Sequence, residues 1–355
     1  VGSSAVAGGN SLNANGQGAA VGLDTYQRAE GAVSAAANTR VGAAGGVVNS
    51  ASIATLNGLT GTSTADDTDV RAVQWARESA EARTDVSTGY VGHGAASAAA
   101  SGNVAAMSAE NGDVTADVWQ DSTANVAASA RAAHTYVGGQ AVADAIASAN
   151  NLSAAGSTTT MLTDTRQYSS GDAVSADVAL EAISASDAVG NATANANALT
   201  IDNAYGYVNT RATQNAQTDV SANSEVSLSG DFLGFASAGA YGVGNSTTVS
   251  NVVSDTVMDV AQYNGGDVGA SAALDVGGGG DQALASAAAY GNMVSGSLCG
   301  YCDGSQPGLN AVNDQRNEGA VHSTASIRAA RAGSVAGTAS AIGNAATYQV
   351  AGPGD

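Results

Sequence analysis

The sequence predicts an all-β protein, an elongated β-solenoid of stacked short strands around a thin core of Ala, Ser, Gly and Val. Three observations predict it. A phrase of small residues closed by Gly-Asn returns along the chain, apolar and polar residues alternate between the copies, and only two Pro occur in 355 residues. Recurrence at a period is typical of stacked repeats, and alternation with period two is typical of strands.

The repeated phrase sets the period of the chain. It stands as Ser97 to Asn103 and Ser286 to Asn292, with a shorter copy that ends at Asn344. The steps from one closing Asn to the next run from 41 to 54 residues. We expect each Asn to occupy one corner of the stack and to hydrogen-bond to its copies above and below. The predicted corner residues are Asn10, Asn57, Asn103, Asn150, Asn191, Asn245, Asn292 and Asn344.

A second series, built around Asp-Val or a related pair, lies between the Gly-Asn phrases. Its predicted turn residues are Asp113, Asp172, Asp219 and Asp267. The two series divide the repeat into halves of about 24 residues, each with two strands and two turns. Taken as one rung each, these halves predict 14 or 15 rungs and a rod of roughly 70 Å.

The competing local structure is helical, because Ala is the strongest helix former. Residues 71–83 and 127–133 are the two candidate helices. Elsewhere Ser, Thr, Asn and Gly interrupt the pattern, whereas Val174, Ala176 and Val178 share one face of a strand and Ser175 lies on the other. The alternation favours strands.

The domain organisation follows from the repeat. We expect one repetitive domain over 1–350, an irregular loop at about 293–318, and a short tail over 351–355. No apolar run reaches the length of a transmembrane helix. The first residue is Val1, and no charged-then-apolar region precedes it, so we expect an exported chain whose signal has been removed.

The charge balance excludes one class of partner. The net charge is −20, from 31 acidic and 11 basic residues, and every basic side chain is Arg. A polyanionic nucleic acid would be repelled. The acidity would keep an extended surface protein soluble, reduce lateral association of sheets, or bind divalent cations.

Cysteine and histidine give little sign of a metal or redox site. Cys299 and Cys302 have the spacing of redox thiols, but no helix follows them, and we expect a local disulfide. Zinc would need two more ligands, and His93, His134 and His322 stand in different repeats. We expect no cofactor. Calcium binding is an alternative, because stacked Gly-Asp turns can bring carboxylates and carbonyls together.

A catalytic motif is not evident. Asp and Ser are abundant enough to pair by chance, and no nucleophile accompanies the histidines. We therefore expect that the protein is not an enzyme. The aromatic residues allow two interpretations, because tyrosines beside the turns either form an exposed ladder that stacks on sugar rings or close the ends of the core. These residues are Tyr168, Tyr241, Tyr263 and Tyr290.

The Ser-Ala phrases that end on Gly-Asn, as at Ser286 to Asn292 and Ser340 to Asn344, resemble the HfaD family of holdfast anchor proteins of stalked bacteria. The resemblance implies a protein of the outer cell surface that helps to fasten an adhesive polysaccharide to the envelope. It further implies other anchor proteins and an outer-membrane export component as partners. It supplies no catalytic residues.

Three function classes follow from the sequence. A structural adhesin or anchor agrees with the repeats and with the resemblance, and the open ends of the stack offer a route to filaments. A subunit of a phage or appendage fibre agrees with the repeats equally well. A carbohydrate-degrading β-helix enzyme would need a cleft with clustered acidic residues.

Overall fold

Strands account for all regular secondary structure in residues 1–300 and 307–351, which the computed structural model describes. The all-β prediction is confirmed. No helix in this part of the chain has the length and hydropathy needed to cross a membrane. The strands are β1 (Gly2–Gln17), β2 (Val21–Ala29), β3 (Val33–Thr64), β4 (Thr68–Ala76), β5 (Ala80–Glu110), β6 (Val114–Ser122), β7 (Val126–Val137), β8 (Gln140–Ser157), β9 (Met161–Ser169), β10 (Ala173–Ser184), β11 (Asp187–Ala204), β12 (Val208–Ala216), β13 (Asp219–Leu228), β14 (Phe235–Val252), β15 (Thr256–Asn264), β16 (Val268–Cys299), β17 (Leu309–Asn317) and β18 (Val321–Ala351).

These strands form two parallel sheets. The small sheet has seven strands in the order β17-β15-β12-β9-β6-β4-β2. The large sheet has eleven strands in the order β1-β3-β5-β7-β10-β13-β16-β14-β11-β8, with β18 on β16 and β5 also on β8. The longest strands of the large sheet pair with two different neighbours along their length. Strand β5, for example, pairs with β7 through residues 80–91 and with β8 through residues 94–110.

Each repeat therefore contributes three strand segments, which we call faces 1, 2 and 3. Face 3 is the small sheet. Face 1 comprises residues 33–41, 80–91, 126–137, 173–184, 219–228, 268–276 and 321–329. Face 2 comprises residues 2–17, 49–64, 94–110, 141–157, 187–204, 235–252, 282–299 and 334–351.

Strand pairing is in register from one repeat to the next. Gly2 pairs with Asn49, 47 residues further on, and the last repeats, which are longer, pair Val268 with Val321. The predicted rungs of 24 residues are wrong, because the halves of a repeat lie on different faces and do not pair with each other. Eight segments stack on face 2, so the stack is about 34 Å long, half the predicted length.

The two candidate helices are strands. Residues 71–83 contain the end of β4 and the start of β5, and residues 127–133 lie within β7. Along β4, Ala72 and Gln74 are buried while Val73 between them is half-buried. This alternation and the pairing with neighbouring repeats outweigh the helix propensity of Ala, which is a weak local preference.

The region predicted as an irregular loop is largely regular. Strand β16 continues to Cys299, and β17 occupies Leu309–Asn317, so a loop over the whole of 293–318 is too broad a prediction. The additional residues of the last, longer repeat lie in the sequence between these two strands. Residues 301–306, and residues 352–355 of the predicted tail, lie outside the described residues.

The interior consists of two separate apolar clusters. Faces 1 and 2 enclose the first, which is rich in Ala and includes Ala98, Ala145 and Val174. Faces 2 and 3 enclose the second, which uses larger side chains such as Leu152 and Met161. The predicted thin core of small residues describes the first cluster. The second combines Ala with the larger side chains of Leu, Met, Ile and Val.

The corner between faces 2 and 3 has the same backbone conformation in successive repeats. One residue there is in the left-handed region, with φ between 55° and 74°. Only two of the six are the Gly or Asn that reach this region at low cost. The six residues are Gly18, Ala65, Asn111, Thr158, Tyr205 and Val253.

A histidine is buried where faces 1 and 2 meet. His134 is 6% exposed, its Nδ1 lies 2.7 Å from Thr88 Oγ1, and its Nε2 has no hydrogen-bond partner in the described part of the chain. Burial lowers the pKa of His134 to about 4. Gly94 leaves room for the ring, because a Cβ at that position would lie 2.5 Å from Cε1 of His134.

The first prediction concerns stability and pH. The unfolded chain binds a proton at His134 near pH 6.5 and the folded protein only near pH 4, so this site stabilises the fold above pH 6.5 and less as the pH falls towards 4. Between pH 7 and pH 4, the wild type should lose about 3 kcal/mol more unfolding free energy than His134→Gln. Denaturant unfolding at several pH values measures this difference. His322→Gln, at an exposed position, is the control, and equal pH dependence of all three proteins would contradict the prediction.

Candidate functional site

A column of Asn side chains runs through the interior at the midpoint of face 2. Each Nδ2 donates a hydrogen bond to Oδ1 of the Asn in the following repeat, at 2.7 or 2.8 Å. The alternation of buried and exposed residues breaks here, because each buried Asn directly follows another buried residue in most repeats. The column consists of Asn10, Asn57, Asn103, Asn150, Asn197, Asn245, Asn292 and Asn344.

One residue of the predicted series lies outside this column. Asn191 is exposed, it pairs with Asp144, and its Nδ2 donates to the carboxylate of Asp144 at 2.9 Å. Asn197 takes its place and pairs with Asn150 and Asn245. With Asn197 the irregular steps of 41 and 54 residues become 47 and 48. The sequence Asn191-Ala-Thr-Ala-Asn-Ala-Asn197 offers several Asn, and only the spacing distinguishes them.

A second column, of Gln, faces the Asn column from face 3. Each Nε2 donates to Oε1 of the Gln in the preceding repeat at 2.7 or 2.8 Å, so the two columns run in opposite directions. Sequence reasoning missed this column, although Gln recurs in steps of 46 to 53 residues. Its members are Gln27, Gln74, Gln120, Gln167, Gln214, Gln262 and Gln315.

The two columns are also connected to each other. Asn150 Nδ2 donates its second hydrogen to the carbonyl of Tyr168, which follows Gln167. Gln167 Nε2 donates to the carbonyl of Ala198, which follows Asn197. The same pair of bonds recurs along the stack, at 2.7–3.1 Å from Asn10 and Gln27 to Asn292 and Gln315. In the inner repeats both amide hydrogens and the amide oxygen are satisfied. This double ladder separates the two apolar clusters.

The four predicted Asp turns belong to two different corners. Asp113 lies between faces 2 and 3, where its carboxylate accepts the backbone N–H of Thr160 at 3.0 Å. Asp172, Asp219 and Asp267 lie between faces 3 and 1; the carboxylate of Asp219 accepts the N–H of Asp267 at 2.9 Å. The single predicted series of Asp turns therefore corresponds to two separate columns, one at each of these corners. In both, a turn carboxylate or amide caps a backbone N–H of the following repeat.

The histidines considered as zinc ligands form no metal-binding cluster in the described part of the chain. Among the described residues, no group of three His, Cys, Asp or Glu side chains is arranged to hold a metal ion. His93 accepts the backbone N–H of Gln140 through Nδ1 at 3.1 Å, a repeat away from His134. Cys299 ends β16, and Cys302 lies outside the described residues, so the disulfide stays a prediction.

The outer surface of face 3 carries an aromatic strip of Tyr26, Trp75, Trp119, Tyr168 and Tyr263. These residues occupy the sixth and eighth positions of the nine-residue strands, on either side of the buried Gln. Both Trp of the chain are among them. The seven strands contain seven Asp and five Arg, a formal charge of −2 compared with −20 for the whole chain.

Trp75 is covered by charged and aromatic neighbours. Arg77 lies over its ring at 4.9 Å and Arg28 at 5.7 Å, while Tyr26 approaches with its edge, at 5.3 Å between centroids. Arg77 also forms an ion pair with Asp121 at 3.0 Å. These contacts order the arginines and neutralise one carboxylate on this face.

Trp119 and Tyr168 border an open groove. Their rings are tilted by 58° with centroids 6.4 Å apart, and Trp119 is 40% exposed. The groove has a volume of about 320 Å³, and Asp121 and Asn215 contribute polar groups to it. Asn215 Oδ1 is buried without a hydrogen-bond partner in the described part of the chain.

The other two predicted tyrosines lie on face 2. Tyr241 and Tyr290 are in adjacent repeats, with ring centroids 5.8 Å apart. Burial raises the pKa of Tyr241 to about 12, and its hydroxyl lies 3.3 Å from Met293 Sδ. The four tyrosines thus divide between the two interpretations: this half-buried pair packs against the stack, whereas Tyr168 and Tyr263 belong to the outer strip.

Comparison with known protein families identifies this chain's family. Residues 1–267, three quarters of the chain, match the model of the family described as HfaD, holdfast attachment protein D. The resemblance noted in the sequence is confirmed. No curated protein and no solved structure matches the chain.

The second prediction tests the double ladder. Asn197→Ala removes one acceptor and two donated bonds from the buried interior and leaves Asn150, Asn215 and Asn245 with unpaired groups. We expect a loss of about 3 kcal/mol in unfolding free energy. Asn191→Ala removes one exposed bond and should cost under about 1 kcal/mol. Denaturant unfolding compares the two variants, and equal losses would contradict a special role for the ladder.

Proposed function

Because the chain belongs to the holdfast attachment protein D family, we propose that it is a structural anchor that fastens an adhesive polysaccharide to the bacterial envelope. The family as a whole has a role in holdfast attachment and so a place at the cell surface or envelope. The finer role, a load-bearing connection between polysaccharide and cell, is our proposal.

The double ladder is the observation that supports it. Adjacent repeats are joined by parallel backbone pairing on three faces and, inside, by one Asn bond and one Gln bond. A force that separates two repeats must break all of these bonds together. The buried amide bonds are protected from water, which would otherwise compete for the same donors and acceptors. Such a stack suits a protein that holds a load.

We interpret the three-faced repeats as the turns of a β-solenoid, as the sequence predicted. We further propose that the chain is exported, acts without catalysis, and contacts other anchor proteins and an outer-membrane export component. A phage or appendage fibre, or a filament of copies of this chain, is the alternative. Electron micrographs of the purified protein at high concentration distinguish an anchor from a fibre or a filament, because both of these require ordered assemblies.

The third prediction concerns calcium. We propose that folding needs no metal, because the carboxylates at both corner columns already accept backbone N–H groups. The unfolding temperature should therefore be the same in millimolar calcium and in a chelator. A rise in calcium that Asp219→Asn abolishes would contradict the proposal, since it would identify a corner carboxylate as a ligand.

The fourth prediction tests the anchoring role in cells. Cells that lack this protein should make the adhesive polysaccharide in normal amounts but release it into the medium, because production does not require the anchor. A carbohydrate stain of the cell and medium fractions measures the distribution. The wild-type gene and Asn191→Ala should restore retention. Normal retention without the protein, or loss of polysaccharide production, would contradict an anchor.

A further inference from the structure

We propose that the groove between Trp119 and Tyr168 binds a pyranose ring of a neutral polysaccharide, and that the rest of the aromatic strip extends this surface along the stack. The inference rests on the proposed anchoring function and assigns its polysaccharide contact to face 3.

The groove has the size and shape for one sugar ring. Its volume of about 320 Å³ is at the small end of ligand sites. The apolar C–H face of a pyranose stacks on an indole, and Trp119 offers 40% of its surface. Tyr168, inclined at 58° to it, forms the second wall. Of the two indoles, Trp119 is the open one, because Arg28 and Arg77 lie over Trp75.

The polar lining supplies acceptors for hydroxyl groups. Asn215 Oδ1 is buried without a partner, which is unfavourable for a buried amide oxygen. A sugar hydroxyl that donates to this oxygen, after rotation of the carboxamide, would satisfy it. Asp121 adds carboxylate oxygens at the same groove, and its bond to Arg77 holds it in place. A polyhydroxylated ring is recognised by aromatic side chains that stack on it and by hydrogen-bond acceptors beside them.

The charge distribution favours a neutral ligand. The chain carries a net charge of −20, which opposes the approach of a polyanion. Face 3 is close to neutral, since its seven strands have a formal charge of −2, and its acidic groups form ion pairs such as Arg166 with Asp164 and Arg211 with Asp259. A neutral polysaccharide can lie along this face without an electrostatic penalty.

The aromatic strip orients a bound polysaccharide along the stack. Tyr168, Asn215 and Tyr263 occupy the same position in three successive strands, so they follow one another along the stack at about 4.8 Å per repeat. Tyr26 and Trp75 continue the aromatic surface on the other side of Trp119. A chain of sugar rings bound at the groove would therefore run parallel to the stack axis and contact several repeats.

Tryptophan fluorescence provides a direct test. In Trp75→Phe the single remaining indole is Trp119, so its emission reports on the groove alone. We expect a saturable change when this variant is titrated with neutral β-linked hexasaccharides of glucose and of N-acetylglucosamine. Calorimetry on the otherwise unchanged protein should show that Trp119→Ala weakens binding about tenfold or more, equivalent to about 1.4 kcal/mol. Tyr168→Ala should also weaken it.

Tyr136→Ala is the matched control, because Tyr136 is a 49% exposed aromatic residue on face 1. It should bind as the wild type does, and all variants should keep the wild-type unfolding midpoint. Unchanged binding in Trp119→Ala, preference for polygalacturonate over neutral sugars, or no saturable change with any neutral probe would overturn the inference.

Cells separate this inference from the anchoring role. If cells with Trp119→Ala release the polysaccharide while those with Tyr136→Ala retain it, the groove is the contact. If Trp119→Ala cells retain it while cells without the protein release it, the inference fails and the anchor stands. If cells without the protein also retain it, the anchoring role fails.

Discussion

In-register parallel stacking places the side chains of one repeat beside their counterparts in the next, and this requirement limits which residues each position can hold. A residue type is stable at a given position only if it can neighbour copies of itself or similar residues about 4.8 Å away. Charged side chains would repel one another inside such a column, whereas small apolar groups pack and amides form chains of hydrogen bonds. The interior accordingly consists mainly of apolar residues, with Ala the most frequent, and of two amide columns.

The amide columns give the stack a specificity that the Ala-rich cluster lacks. Ala side chains would pack acceptably in several registers, because they are small and alike. A shift of one residue in face 2 would remove Asn150 from both Asn103 and Asn197 and leave buried donors unpaired. Since the Asn and Gln columns also donate to each other's strands, faces 2 and 3 are fixed relative to one another. The double ladder thus serves both register and cohesion.

The outer surface is not subject to the same restriction. Outward residues are partly hydrated, so a column can alternate in charge, as Asp24, Arg71 and Asp117 do on face 3. Function is therefore expected on the faces, where residues vary without breaking the stack. Face 3 differs from the rest of the molecule in carrying both Trp of the chain, and these indoles, with the groove beside Trp119, distinguish it as a binding surface.

The all-β class, the period, the acidic character and the recurrence of Asn could be predicted from the amino-acid sequence, because alternation and repetition are local properties that can be counted. The pairing of the strands depends on contacts between distant residues. Three faces per repeat, rather than two halves, follow from corners such as Thr158 and Tyr205, whose left-handed backbone is imposed by the strands on either side and not by the residue type. The choice of Asn197 over Asn191, the division of the Asp turns into two columns, and the meeting of Trp119 with Tyr168 all depend on that closure, since residues about 47 apart become neighbours only when the chain has completed a turn.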